Sequence, residues 1–181
     1  MDYLIYICIQ QITNYMGYTH YWGYTPATGD KFRYKDVLTE VLEMKKNLPE
    51  HCKTAGGHFN DHPITLRNGL GKYHPELTKD CLRFNGDASK WLDHETFIFD
   101  FNEQEQNEFC KTARKPYDFF VCVCLISLAN HLPNFEFSSD GDWQDWQPAF
   151  EFYSATFPKQ PISDNLKKIV VNNFHNNLVN Q

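Results

Sequence analysis

Residues 117–131 restrict what this chain can fold into more than any other segment. They are apolar nearly all round, yet the strongly apolar run, 119–129, is short. A membrane span needs about 20 such residues, so the segment is a buried helix. A helix without a polar face has to be covered on more than one side, so other elements must pack around it. Pro116 sets its start, because proline drives Lys115 out of the helical region and suits a first helical turn; Pro133 stops it.

Strand and helix patterns on either side supply that cover. Residues 18–22 read as a strand with Tyr18, His20 and Trp22 on one face and Thr19 and Tyr21 on the other. Tyr34, Val37, Leu38, Val41, Met44 and Leu48 recur at helical spacing, with Asp30 as the expected N-cap and Pro49 as the stop. Residues 82–87 run as a strand into a turn. Residues 96–101 (TFIFDF) are the clearest strand in the chain, and an antiparallel pair across the 86–95 loop is expected. Residues 102–112 are polar and are read as holding a helical turn. A strand at 135–138, a turn at 139–142 and a helix at 146–157 follow. Residues 50–81 yield only turn glycines and a short strand at 63–66.

This order predicts an α+β fold in two layers, an antiparallel sheet with helices on one face. The expected arrangement is ferredoxin-like, βαββαβ plus a C-terminal helix. Residues 1–15 read either as an N-terminal extension or as an edge strand. Residues 16–158 form one domain, and 159–181 an Asn-rich tail or weak helix.

The net charge of −6, with 17 basic residues against 23 acidic ones, argues against a general nucleic-acid binder, which needs a concentrated Lys/Arg surface. The six cysteines lack paired CxxC spacing, and no secretory signal precedes them, so they read as reduced, mostly buried residues of a soluble, cytoplasmic protein. Cys122 and Cys124, two apart on a helix, point to opposite sides and cannot grip one metal ion.

Three segments carry candidate chemistry. In 110–118 (CKTARKPYD), Lys111, Thr112, Arg114 and Lys115 precede a helix N-terminus, where free N–H groups and the helix dipole favour an anion. The competing reading is a solvated charge run, with Asp118 answering the dipole internally. In 138–146, Asp140, Asp142 and Asp145 either ligate a hard cation or form a turn and a helix cap. The spacing departs from a calcium loop. In the 85–96 region, Asp87, His94 and Glu95 offer acid–base groups on a loop, or are structural. His20 is either a ligand-facing ring or a core histidine. His58 and His62 have a helical metal spacing, but flanking Gly56, Gly57 and Pro63 argue against a helix. No residue set is assigned to a metal, and no phosphate-binding glycine loop or nucleophile elbow is present.

Residues 16–22 (MGYTHYW), FNGD at 84–87 with HETF at 94–97, FCKTARKPYD at 109–118 and FSSDGDWQDW at 137–146 together resemble an uncharacterised small-protein family of bacteriophages and large DNA viruses. The resemblance spans roughly 16–158 and carries no catalytic role. It implies that these segments meet at one site, and that residues 1–15 and the tail are additions.

The leading expectation is an accessory protein that holds a small anionic, nucleotide-like ligand. Lys111, Thr112, Arg114 and Lys115 take the anion, Tyr21 or Trp22 stacks on a ring, and His20 and Glu95 line the site. The alternatives are a metal-dependent enzyme on phosphate esters using Asp87, Glu95, Asp140 and Lys111, and a module that binds a host protein through aromatic surface.

Overall fold

The computed structural model describes residues 18–51 and 59–174. Residues 1–15, Cys52, His58 and the tail beyond 174, on which several expectations fell, lie outside the described residues. The elements in chain order are β1 (Thr19–Tyr24), α1 (Asp30–Lys46), β2 (Glu76–Leu77), β3 (Cys81–Phe84), a 3-10 turn (Ala88–Lys90), β4 (Phe97–Asp100), β5 (Gln106–Lys111), α2 (Asp118–His131), β6 (Phe135–Ser139), α3 (Trp143–Thr156) and α4 (Asp164–Phe174). The fold is α+β. Among the described residues no helix is long and apolar enough to cross a membrane.

The all-round apolar helix is α2, and every residue from Asp118 to Asn130 on it is buried. It packs against α1, α3, α4 and β6. Each fully buried Phe, Leu or Ile contributes roughly 1.5–3 kcal/mol relative to exposure, and this helix supplies more buried apolar side chains than any other element among the described residues. Cys81, Cys110, Cys122 and Cys124 are buried and form no disulfide.

The strands form two antiparallel three-stranded sheets, ordered β5-β1-β6 and β2-β3-β4, instead of the single sheet of a ferredoxin-like order. The reason is β5, which occupies the polar stretch read as a helical turn. It takes the place beside β1, with Tyr21 opposite Phe109 and Thr19 opposite Lys111. Its polar residues suit a strand because Gln106 does backbone work: its amide donates to the Asp100 carbonyl (2.6 Å) and accepts from the Asp100 N–H (3.2 Å). That stitches β5 to β4 side chain to main chain. The expected β3–β4 pair forms, with Leu82 opposite Phe99 and Phe84 opposite Phe97. Phe97 and Phe99 point inward while Ile98 is exposed, and the inner faces of the two sheets join through Trp22 on Phe97 and Tyr24 on Phe99.

Smaller differences have local causes. Gly29, at φ 91°, is the N-cap of α1, and Asp30 is its first residue. The Asp30 carboxylate accepts from the Ala27 N–H and the Tyr24 hydroxyl. Residues 63–66 form no strand; only Pro63 bridges to His51. α3 begins at Trp143, three residues before the expected start, because Asp142 caps it and Asp145 closes a capping box. The Asn-rich segment makes α4, whose Leu166, Ile169, Val170 and Phe174 are buried. Asn165 and Asn173 donate to the Phe135 and Phe137 carbonyls of β6, covering an edge that would otherwise present unpaired acceptors.

Candidate functional site

Alternation along β1 sends Tyr18, His20 and Trp22 inward and leaves Tyr21 exposed. Around the first two, all four segments singled out in the sequence converge. Thr19 exchanges bonds with Asp140, through the Asp140 carboxylate (3.0 Å) and the Asp140 N–H (3.0 Å). The Tyr18 carbonyl accepts from Thr112 N–H (3.0 Å). Glu95 accepts the Lys111 N–H on its carboxylate (2.7 Å) and donates its own N–H to the Lys111 carbonyl (3.1 Å). The Tyr117 hydroxyl donates to the Glu95 carbonyl (2.7 Å), and His94 Nδ1 lies 2.8 Å from the Lys111 carbonyl. Two glycines permit the close packing: a Cβ on Gly86 would sit 1.9 Å from the Leu92 carbonyl oxygen, and one on Gly141 would sit 2.3 Å from the Tyr18 hydroxyl.

At the centre is a buried polar cluster. His20 is fully buried, and its Nε2 lies 2.7 Å from Asp118 Oδ1. The Thr112 hydroxyl donates to that same oxygen, and the Cys122 sulfur stands 3.8 Å from His20 Nε2. Asp118 opens α2, where the helix dipole favours its charge. His20 Nδ1, the Tyr18 hydroxyl and Trp146 Nε1 are buried and have no hydrogen-bond partner among the described residues. The Tyr18 and Trp146 rings both stand edge-on to His20, at 5.1 and 5.3 Å. Burial, reinforced by the Asp118 charge, pushes the Tyr18 hydroxyl far above its ordinary pKa, so it stays protonated.

Over this cluster runs a strained loop. The positive-φ non-glycine residues among those described are Trp91 (58°), Ala113 (51°) and Arg114 (52°). The left-handed region costs an L-residue roughly 1–2 kcal/mol, and such outliers gather at functional sites. All three lie in two loops that Lys115 joins, its ammonium donating to the Trp91 carbonyl (2.5 Å).

The expected anion ligands are divided in their roles. Arg114 lies 3.9 Å over the Tyr18 ring and hydrogen-bonds Asp145 through Nη2 (3.1 Å) and Nε (3.4 Å). Lys115 is half-buried, and burial lowers its pKa. Lys111 is exposed, its ammonium 6.0 Å from the Phe109 ring. Thr112 is fully buried on Asp118. Tyr21 and Trp22 do not join the cluster: Trp22 packs inward on Phe97, and Tyr21 shares the outer face with Phe109. There it borders a groove of about 580 Å³ whose far wall is α4, with Lys168 and Asn172.

The carboxylates of the other readings are each engaged by backbone. Asp87 caps the 3-10 turn through Ser89 N–H, Glu95 holds Lys111 N–H and Asp140 holds Thr19 N–H. Asp142 caps α3 and Asp145 holds Arg114. Sequence reasoning missed Cys122 and Trp91 as parts of this region, and read Asp145 as a cation ligand or helix cap without its ion pair to Arg114. Period-2 alternation alone puts Tyr18 beside His20; no comparable signal marks Trp91. Comparison with protein-family models, curated proteins and solved structures returned no match.

Proposed function

We propose that this chain is a binding protein for a small anionic, ring-bearing ligand of nucleotide type, held over the 91–95 and 111–115 loops and not transformed there. The observation that carries the reading is the concentration of left-handed non-glycine residues in those two loops. They offer outward-facing Lys111 and His94, half-buried Lys115, and Trp91, which is 84% exposed, with exposed Lys90 next to it at the end of the 3-10 turn. An exposed indole is a stacking platform for a base, and ammonium groups meet phosphate oxygens as charge-assisted donors. This keeps the anion on Lys111 and Lys115, leaves Arg114 on Asp145, and moves the stacking ring from Tyr21 or Trp22 to Trp91. A non-enzymatic role is supported by Asp87, Glu95 and Asp140, whose carboxylates already accept backbone N–H groups. The resemblance of four segments to a phage and large-DNA-virus family supports a viral accessory role on a host process.

The test is a titration of the full chain with ATP and with a cyclic dinucleotide, followed by tryptophan fluorescence and by thermal shift. Trp22 and Trp146 are buried and Trp143 is half-buried against Phe150, so the part of the saturable quenching that Trp91→Phe removes is the part that reports on Trp91. Trp91→Phe should keep the thermal shift and lose most of the quenching. Lys111→Ala and Lys115→Ala should each weaken binding about tenfold, the scale of one charge-assisted hydrogen bond. Absence of saturable binding, or an unchanged affinity in the Lys111→Ala/Lys115→Ala double variant, overturns the reading.

A further inference from the structure

Beneath those loops, and independent of what they bind, lies a donor set with its own chemistry. His20, Asp118 and Cys122 each present one ligand atom, and the three atoms lie within 4.8 Å of one another. Among the described residues this is the group of His, Cys, Asp and Glu side chains placed to share an ion. We propose that it is a buried site for one divalent transition-metal ion of zinc type.

The donors match such an ion. An imidazole nitrogen, a carboxylate oxygen and a thiolate are all zinc ligands, with bond lengths of about 2.0–2.3 Å. Two donors bound tetrahedrally to one ion at those lengths stand roughly 3.3–3.6 Å apart. The 3.8 Å between Nε2 and Sγ is close to that span; the 2.7 Å between Nε2 and Asp118 is shorter, because a hydrogen bond draws those two together. The ion replaces the proton between them and parts them by about half an ångström. Charge also balances: one carboxylate and one thiolate neutralise a divalent ion, and buried charge is tolerated when paired or metal-bound. On binding, the Cys122 thiol gives its proton to solvent, and the proton displaced from between His20 and Asp118 moves to His20 Nδ1, leaving a neutral imidazole on the ion.

Two features point to more than a buried His–Asp pair. His20 Nδ1, fully buried, has no partner among the described residues, and neither has the hydroxyl of Tyr18, the ring packed edge-on against it, so nothing pins the tautomer and Nε2 can hold either a proton or an ion. The Thr112 hydroxyl already donates to the Asp118 oxygen that faces His20, as carboxylate ligands are commonly fixed by a further hydrogen bond. Three protein ligands leave a fourth position for water or an anion. The ligand atoms are shut away from solvent, so the ion enters as the chain folds.

The experiment is to refold the full chain with Zn²⁺, with Co²⁺ and with chelator, then remove excess metal and measure bound metal per chain. One equivalent of zinc and a raised melting temperature are expected. The cobalt form should show a sulfur-to-metal charge-transfer band and tetrahedral ligand-field absorption, which needs no variant. Cys122→Ser should abolish the charge-transfer band, whereas Cys124→Ser, on the same helix, should leave it. Less than a tenth of an equivalent of bound metal, a cobalt spectrum without the sulfur band, or a band that survives Cys122→Ser overturns the site.

Discussion

The two ends of α2 each carry a buried polar network, and they are built on different terms. At the C-terminal end Glu40, from α1, accepts from the Ser127 hydroxyl (2.7 Å) and the Tyr153 hydroxyl (2.9 Å) on one oxygen. His131 Nε2 stands 2.9 Å from the other, within ion-pair distance though not aligned as a hydrogen bond. Asn130 continues the network to Tyr153 and to the Ser163 N–H. It ties α1, α2 and α3 together, and no residue in it has a positive φ. At the N-terminal end His20, Thr112, Asp118 and Cys122 meet under a strained loop, with three buried polar atoms nearby that lack partners among the described residues. Apart from His131 Nε2, the first network is closed on itself and stabilises packing. The second keeps unused bonding capacity and holds backbone in costly conformations, which is what a ligand can exploit.

The sharpest way to break this contrast is to delete the centre of the closed network. Glu40→Ala strands Ser127, Tyr153 and His131 without their common acceptor. Removing one member of a buried, hydrogen-bonded charge group costs about 3–5 kcal/mol. Urea denaturation should therefore show a loss of about 3 kcal/mol, while ligand affinity in the remaining folded protein stays unchanged. A loss below about 1 kcal/mol would mean the network is not what binds the helices together.

The second test has the opposite sign. Ala113 adopts φ 51° with a side chain that makes no hydrogen bond. Glycine accepts that conformation freely, although it carries more entropy in the unfolded chain. Ala113→Gly should raise stability by about 0.5–1 kcal/mol, as read by the urea midpoint at unchanged slope. A destabilised variant would show that the loop is unstrained, and the distinction between the two ends of α2 would lose its main support.

The sequence revealed these regions unequally, for physical reasons. α2 and β4 were legible because their patterns are extreme: one apolar all round, the other alternating Phe97 and Phe99 inward against Ile98. β5 was not, because Gln106 serves backbone groups on β4 rather than the core and Phe109 faces outward. The period of the segment therefore looked polar, and with β5 hidden the division into two sheets was hidden too. His20 was legible as inward-facing, but Asp118 lies 98 residues further on, and a single chain does not announce such a meeting. Arg114 looked like a ligand for the same reason: its partner Asp145 is 31 residues away. Trp91 left no trace, since a left-handed position usually shows itself as glycine or asparagine.

The smallest expected effect concerns the loop that carries Trp91. Asp87 begins the 3-10 turn leading to it, accepting from the Ser89 hydroxyl (2.6 Å) and Ser89 N–H (3.1 Å), with Arg67 at 3.5 Å. The Ser89 hydroxyl bond does most to hold the Asp87 carboxyl below its ordinary range, with the Ser89 N–H and Arg67 adding to it against burial. A carboxyl whose pKa is lower folded than unfolded binds its proton more readily in the unfolded chain. Its stabilisation is complete above the unfolded value, about 3.9, and drains away as pH falls through the lower folded value. Asp87→Asn keeps an acceptor for Ser89 but cannot titrate. Its urea midpoint should fall below that of the parent at neutral pH, and the two should converge as the pH drops below about 4. If both proteins lose stability in parallel through that window, Asp87 contributes nothing to acid sensitivity. The anchoring of the Trp91 loop would then rest on Asn85, whose side chain holds the backbone of His94 at 2.9 and 3.1 Å.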